Sequence, residues 1–123
     1  MQKEIMPLRN YAHIGDAVWE VFVRDYTILQ TSNSKLLHKI TTDRVKASFQ
    51  KDMLELILPN LTEEEHELAR RGRNLPIPVA RRSIQHEYRP ATAFEVLIGF
   101  WYLHDKPRLD EILAKIKNTE YFK

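Results

Sequence analysis

The sequence predicts an all-α fold, one domain of about six to seven helices over residues 1–123. Three observations carry that reading. Apolar residues recur at helical spacing through most of the chain, turn and capping residues separate these stretches, and no alternating run is long enough for a strand. With 123 residues, 43% of them hydrophobic, the chain can bury one core and is too short for two.

The first helix is expected from about Leu8 to Leu29, with Ile14, Val18, Val21 and Phe22 on one apolar face and Asp16, Trp19, Glu20 and Val23 toward another. Thr31-Ser32-Asn33-Ser34 reads as a turn and helix start, leading into a short helix around Lys35 to Ile40. Thr41-Thr42-Asp43 offers a fresh N-terminus for a helix through Ile57, stopped near Pro59-Asn60. Thr62 and Glu65 have capping-box spacing, and the acids of that first turn suit the dipole of a helix ending near Gly72. Gly72, Asn74, Pro76 and Pro78 mark an exposed loop. A short helical piece over Ser83 to Glu87 follows, and Pro90 suits the first turn of a helix running to about His104. Lys106-Pro107 breaks it, and a last amphipathic helix, Leu109 to about Thr119, presents Leu109, Ile112, Leu113 and Ile116 on one face. Trp19, Phe94, Phe100, Trp101 and Tyr102 interleave with aliphatic residues, which places them in the core or at a subunit interface.

Composition narrows the chemistry. The chain has no cysteine, so disulfides and thiolate metal sites are excluded, and a reducing cytoplasm suits it. No apolar run approaches the roughly 20 residues that span a bilayer, and Met1-Gln2-Lys3-Glu4 lacks a signal-peptide core, so a soluble cytoplasmic protein is expected. There is no glycine-rich phosphate loop, no HExxH pair and no recognisable serine nucleophile. The five histidines are scattered without ligand spacing; His13, three residues before Asp16, is the one worth testing.

Two segments stand out. Ile14-Gly15-Asp16-Ala17-Val18 and Thr92-Ala93-Phe94-Glu95-Val96-Leu97-Ile98-Gly99 each set a carboxylate near a glycine inside an apolar, helix-forming stretch. Glycine in a helix interior costs about 0.5 to 1 kcal/mol relative to alanine, so two of only three glycines placed there imply close backbone approach between crossed helices. Asp16 and Glu95 can then converge, and two carboxylates without a cation repel unless a proton or a divalent metal neutralises them. The charge distribution is the second signal. The formal net charge is only +2, yet Arg70, Arg71, Arg73, Arg81, Arg82 and Arg89 fall within twenty residues against the single acid Glu87. Such a cluster suits a polyanion, because guanidinium groups contact phosphates bidentately and release counterions.

Together with Arg71-Gly72-Arg73-Asn74 and Tyr88-Arg89, the two glycine segments resemble the ribonuclease III catalytic domain, in particular its short Mini-ribonuclease III branch. The resemblance spans nearly the whole chain and leaves nothing for a separate double-stranded-RNA-binding domain. It implies that Asp16 and Glu95 are the catalytic, metal-binding acids of a Mg²⁺-dependent endoribonuclease, with Mn²⁺ able to substitute. It also implies a homodimer that cuts both strands of duplex RNA, leaves 5′-phosphate ends and matures a large-subunit (23S) ribosomal RNA precursor. The six arginines are then the candidates for RNA contact. Two positions depart from the longer relatives: Ala12 stands where they carry a glutamate, and Thr92 where they carry an acid. This thinning of carboxylates raises an alternative, a non-catalytic RNA- or ribosome-binding module on the same fold; a blander reading is a helical interaction domain with a basic loop.

Overall fold

Helix α5, Gln85–His104, is the axle of the molecule. Every residue from Pro90 to Trp101 is buried except Glu95, because α5 is apolar on all sides and other helices cover it. Around it stand α1 (Leu8–Thr27), α3 (Ala47–Ile57) and α4 (Glu63–Arg73), with α2 (Ser34–Val45) against α1 and α6 (Lys106–Lys117) across the far end. Short 3₁₀ turns cover Leu58–Asn60, Val79–Ile84 and Glu120–Phe122. This computed structural model describes all of residues 1–123 and contains the six α-helices expected, with no strand.

The caps follow the sequence closely. Thr62 and Glu65 form a capping box on α4 with hydrogen bonds of 3.1 and 2.9 Å, and Asn33 accepts from Leu36 N at 2.9 Å to start α2. Asp105, accepting from Arg108 N at 3.2 Å, starts α6. Pro107 therefore lies inside the first turn of α6, and the helix begins earlier than the apolar periodicity from Leu109 suggests.

Four expectations need correction. First, the break placed at Thr41-Thr42-Asp43 lies at Lys46, whose ψ of 159° is extended. Thr41 instead faces Thr27 across α1 and α2 at 2.8 Å, and the break frees two carbonyls that side chains take: Trp19 Nε1 donates to Arg44 O at 2.8 Å, and Gln50 Nε2 to Val45 O at 3.1 Å. Second, the buried face of α1 is Tyr11, Gly15, Trp19, Val23 and Thr27, so Trp19 and Val23 point inward while Val21 is 59% exposed. Trp19 meets Phe94 edge-on with ring centroids 5.1 Å apart, and the larger aromatic surface decides which face is inside. Third, Gly72 is not in the loop; it closes α4 against α5, where an added Cβ would meet Ala93 Cα at 3.2 Å. Fourth, Pro90 lies past the first turn of α5, because Gln85 to Glu87 belong to that helix and the preceding 3₁₀ turn takes Val79–Ile84.

One buried ion pair ties α4 to α6. Glu65, 4% exposed, accepts from Arg108 Nε at 2.9 Å, Arg108 Nη2 at 2.8 Å and Trp101 Nε1 at 3.0 Å. Burial alone would raise the Glu65 carboxyl, but the hydrogen bonds from Arg108, the Thr62 backbone and Trp101 outweigh it and hold the group below its ordinary value. Arg108→Ala leaves a buried carboxylate without its cation and is expected to lose about 3 kcal/mol in urea denaturation at pH 7. Because the Glu65 pKa is depressed on folding, the pair's contribution is present above the ordinary value of 4.5 and fades as pH falls through the lower folded value. The difference between parent and variant should therefore shrink in acid.

Candidate active site

Glycine lets α1 and α5 touch backbone to backbone at two points. A Cβ on Gly15 would stand 1.9 Å from the Glu95 carbonyl oxygen, and one on Gly99 1.9 Å from the Tyr11 carbonyl oxygen. Each helix thus contributes one glycine and one carbonyl to a reciprocal contact that any side chain would prevent. The crossing brings Asp16, next to Gly15, beside Glu95, whose own carbonyl meets Gly15.

The two carboxyl groups have different surroundings. Asp16 is exposed, while Glu95 is half-buried on the otherwise buried stretch of α5. Burial raises the Glu95 carboxyl most; hydrogen bonding to Asp16 and the repulsion of its charge raise it further, and the Gln50 side chain pulls it partly back. The outcome is a pKa pushed up to about 9, so without a cation the Glu95 carboxyl keeps its proton at neutral pH.

Both acids open on a cleft of ≈ 420 Å³. Lys46, Ser48 and Gln50 line it from the start of α3, Arg81 from the 3₁₀ turn, and Glu87, Tyr88 and Thr92 from α5. Of the six arginines singled out by charge, Arg81 alone lines this cleft. Arg70 is paired with Glu67 on α4, with Nη2 to Oε1 at 2.5 Å, and Arg71 is paired with Glu4 of the N-terminal segment. Arg89 donates to the Arg73 carbonyl at 3.0 Å and so holds the end of α4 to α5. Arg73 and Arg82 are exposed. His13 is exposed on α1 and is not among the cleft residues. Thr92, at a position where an acid was missed, is buried in the cleft wall.

Sequence reading missed Lys46, Ser48 and Gln50. For Gln50 there was a signal: it shares the buried stripe of α3 with Met53, Leu54 and Ile57, and a lone amide in an apolar stripe needs polar partners. Its Nε2 has one in Val45 O and the side chain also hydrogen-bonds the Glu95 carboxyl, but its buried Oε1 has none.

The donor set can be tested against a metal. No third carboxylate, histidine or cysteine joins Asp16 and Glu95. Beside these two carboxylates the cleft wall carries an unpartnered amide oxygen and the hydroxyls of Ser48 and Thr92, a set suited to a hard divalent cation that keeps several waters. Mg²⁺ fits that description, since it dehydrates reluctantly and is commonly bound through one or two carboxylates plus substrate phosphates.

Six helices around a buried axle, with a carboxylate pair at a glycine crossing, define a nuclease-like domain whose acids share a cleft with Lys46 and Arg81. Residues 9–106 match the Ribonuclease III domain family, and the chain belongs to the ribonuclease III family of endoribonucleases, hydrolases that act on double-stranded RNA. Within that family it is similar to proteins named Mini-ribonuclease 3. The one from Synechococcus sp. is 39% identical over 97% of this chain and 86% of its own length. That from Gloeobacter violaceus is 42% identical over 92% of this chain and 84% of its own length, and that from Clostridium tetani 40% identical over 94% and 79%. A crystal structure of a Fusobacterium nucleatum protein, 30% identical, matches with a TM-score of 0.83 over 97% of this chain and 100% of the other.

Proposed function

We propose that this chain is a Mg²⁺-dependent endoribonuclease that hydrolyses phosphodiester bonds in both strands of duplex RNA and leaves 5′-phosphate ends. The observation that carries the proposal is the meeting of Asp16 and Glu95 at the mouth of a cleft that also holds Arg81 and Lys46. Two acids alone would favour a proton; two acids facing cationic side chains suit a cation and a phosphate together.

In this reading Asp16 and Glu95 would hold the cation, and Glu95 would give up its proton to do so. A Mg²⁺ held there would supply an activated water and neutralise charge growing on the phosphate oxygens. Arg81 and Lys46 hold phosphates of the duplex, and because A-form RNA hides its base edges, recognition rests on backbone shape and 2′-hydroxyls. The non-catalytic alternative leaves the raised pKa of Glu95 beside Asp16 unexplained, since a pure binding surface for RNA gains nothing from acids in its cleft.

A homodimer belongs to the proposal. Ile14, Ala17, Val18, Val21 and Tyr102 line a shallow apolar groove on α1 and α5, next to exposed Leu103, and a second copy would cover it. The cytoplasm as compartment and a 23S ribosomal RNA precursor as substrate rest on the resemblance to the Mini-ribonuclease III branch.

The test is a gel assay of long duplex RNA with and without Mg²⁺, in which Mg²⁺-dependent shortening is expected; binding without cleavage, with Mn²⁺ as well, would favour the non-catalytic module. For recognition, Arg81→Ala in an Asp16→Asn background should weaken duplex binding and reduce the slope of log K against log salt by about 1. An unchanged slope would remove Arg81 from the phosphate contacts.

A further inference from the structure

We infer that Gln50 is a third protein ligand of the cation, its side-chain carbonyl oxygen standing in for the acids this chain lacks at Ala12 and Thr92. The inference rests on the metal-binding reading of Asp16 and Glu95 above.

Four observations carry it. Gln50 is 2% exposed, yet it lines the same cleft as Asp16 and Glu95. Its Oε1 is the one buried side-chain polar atom of the protein that has no hydrogen-bond partner. The amide cannot simply turn over, because Nε2 donates to the Val45 carbonyl at 3.1 Å, and reversing it would set oxygen against oxygen. That carbonyl is itself free only because the helix breaks at Lys46, so the backbone fixes which end of the amide is left without a partner. A buried acceptor left unpaired is destabilising by about 1 to 3 kcal/mol, and buried groups of this kind in native proteins generally have a partner. Here the partner of fitting chemistry is a hard cation, for which an amide oxygen is an ordinary ligand.

The test is Mn²⁺ binding by electron paramagnetic resonance, with RNA absent, on the parent chain, Gln50→Met and Gln50→Glu. Met keeps the apolar volume but removes the oxygen, and Glu restores an oxygen while also losing the N–H to Val45. A ligand role predicts that Gln50→Met binds Mn²⁺ on the order of tenfold more weakly, or worse, and that Gln50→Glu binds at least as well as the parent. A purely structural role would weaken both alike. Equal Mn²⁺ affinity of the Met variant and the parent, or equal losses in both variants, would overturn the inference. No Mn²⁺ binding by the parent would instead overturn the metal-binding reading itself. A second measurement needs no variant: on titrating the parent with Mg²⁺, the side-chain carbonyl ¹³C resonance of Gln50 should move while those of Gln2, Gln30 and Gln85 stay in place. A stationary Gln50 signal at saturating Mg²⁺ would equally overturn the assignment.

Discussion

Glu95→Gln is expected to abolish duplex cleavage while making the metal-free protein more stable. On the proposed reading Glu95 holds the cation, and its loss removes several kcal/mol of charge stabilisation in the transition state, a fall of about a thousandfold or more in rate. The stability change has the opposite sign. The folded-state pKa of Glu95 is raised from 4.5 to about 9, so between those values the unfolded chain releases a proton that the folded chain keeps. Stability from this group is therefore fully present below 4.5 and is lost as pH rises toward 9. A neutral amide escapes that loss and can still hydrogen-bond Asp16. At pH 7 the gain should be on the order of 1–3 kcal/mol, read as several degrees in Tm with metal removed. The same proton links to metal: apparent Mg²⁺ or Mn²⁺ affinity of the parent should climb with pH and level off near 9. Asp16→Asn should also abolish cleavage, with RNA binding kept. Cleavage by Glu95→Gln within tenfold of the parent would take Glu95 out of the mechanism, and a lower metal-free Tm would contradict its raised pKa.

Gly15→Ala and Gly99→Ala are expected to be among the most damaging single substitutions in the chain. In each case the new methyl carbon would lie 1.9 Å from a backbone carbonyl oxygen of the facing helix, and no flexible side chain can swing aside to relieve it. The helices must separate, which opens the core around Trp19 and Phe94 and draws Asp16 away from Glu95. Losses above about 4 kcal/mol, the range of exceptional mutations, should appear in urea denaturation followed by circular dichroism. Gly72→Ala is the internal control. Its Cβ would meet Ala93 Cα and Val96 Cγ2 at 3.2 Å, which asks for shifts of a few tenths of an ångström, and alanine's helix propensity offsets part of that. A change within about 1 kcal/mol is expected there. If Gly15→Ala were equally mild, the close crossing of α1 and α5 would not be what positions the acids.

Much of this was legible in the sequence because its causes are local. Helical periodicity, the Thr62–Glu65 box and the Asn33 turn each act over one or two turns of chain, so they specify helices without reference to the rest of the fold. The glycine–carboxylate segments were legible for a related reason: glycine in a helix is unfavourable on its own, and its presence signals a close neighbour even before the neighbour is known. Thus the all-α class and the pair Asp16 and Glu95 followed from the residues themselves.

What only the tertiary structure decided is which partner each polar group finds. The end of α2 lies at Lys46 rather than Thr41 because Trp19 and Gln50, from other helices, take the carbonyls that the break releases. Arginines clustered within twenty residues of sequence diverge in space: Arg71 meets Glu4, Arg70 meets Glu67, and Arg81 lines the cleft. Gln50 joins the acids because α3 packs on α5, a placement that no spacing along the chain encodes. Helix formation depends on neighbours in sequence, whereas a charge, an amide or a carbonyl is governed by whichever group the packing of a buried core brings within about 3 Å of it.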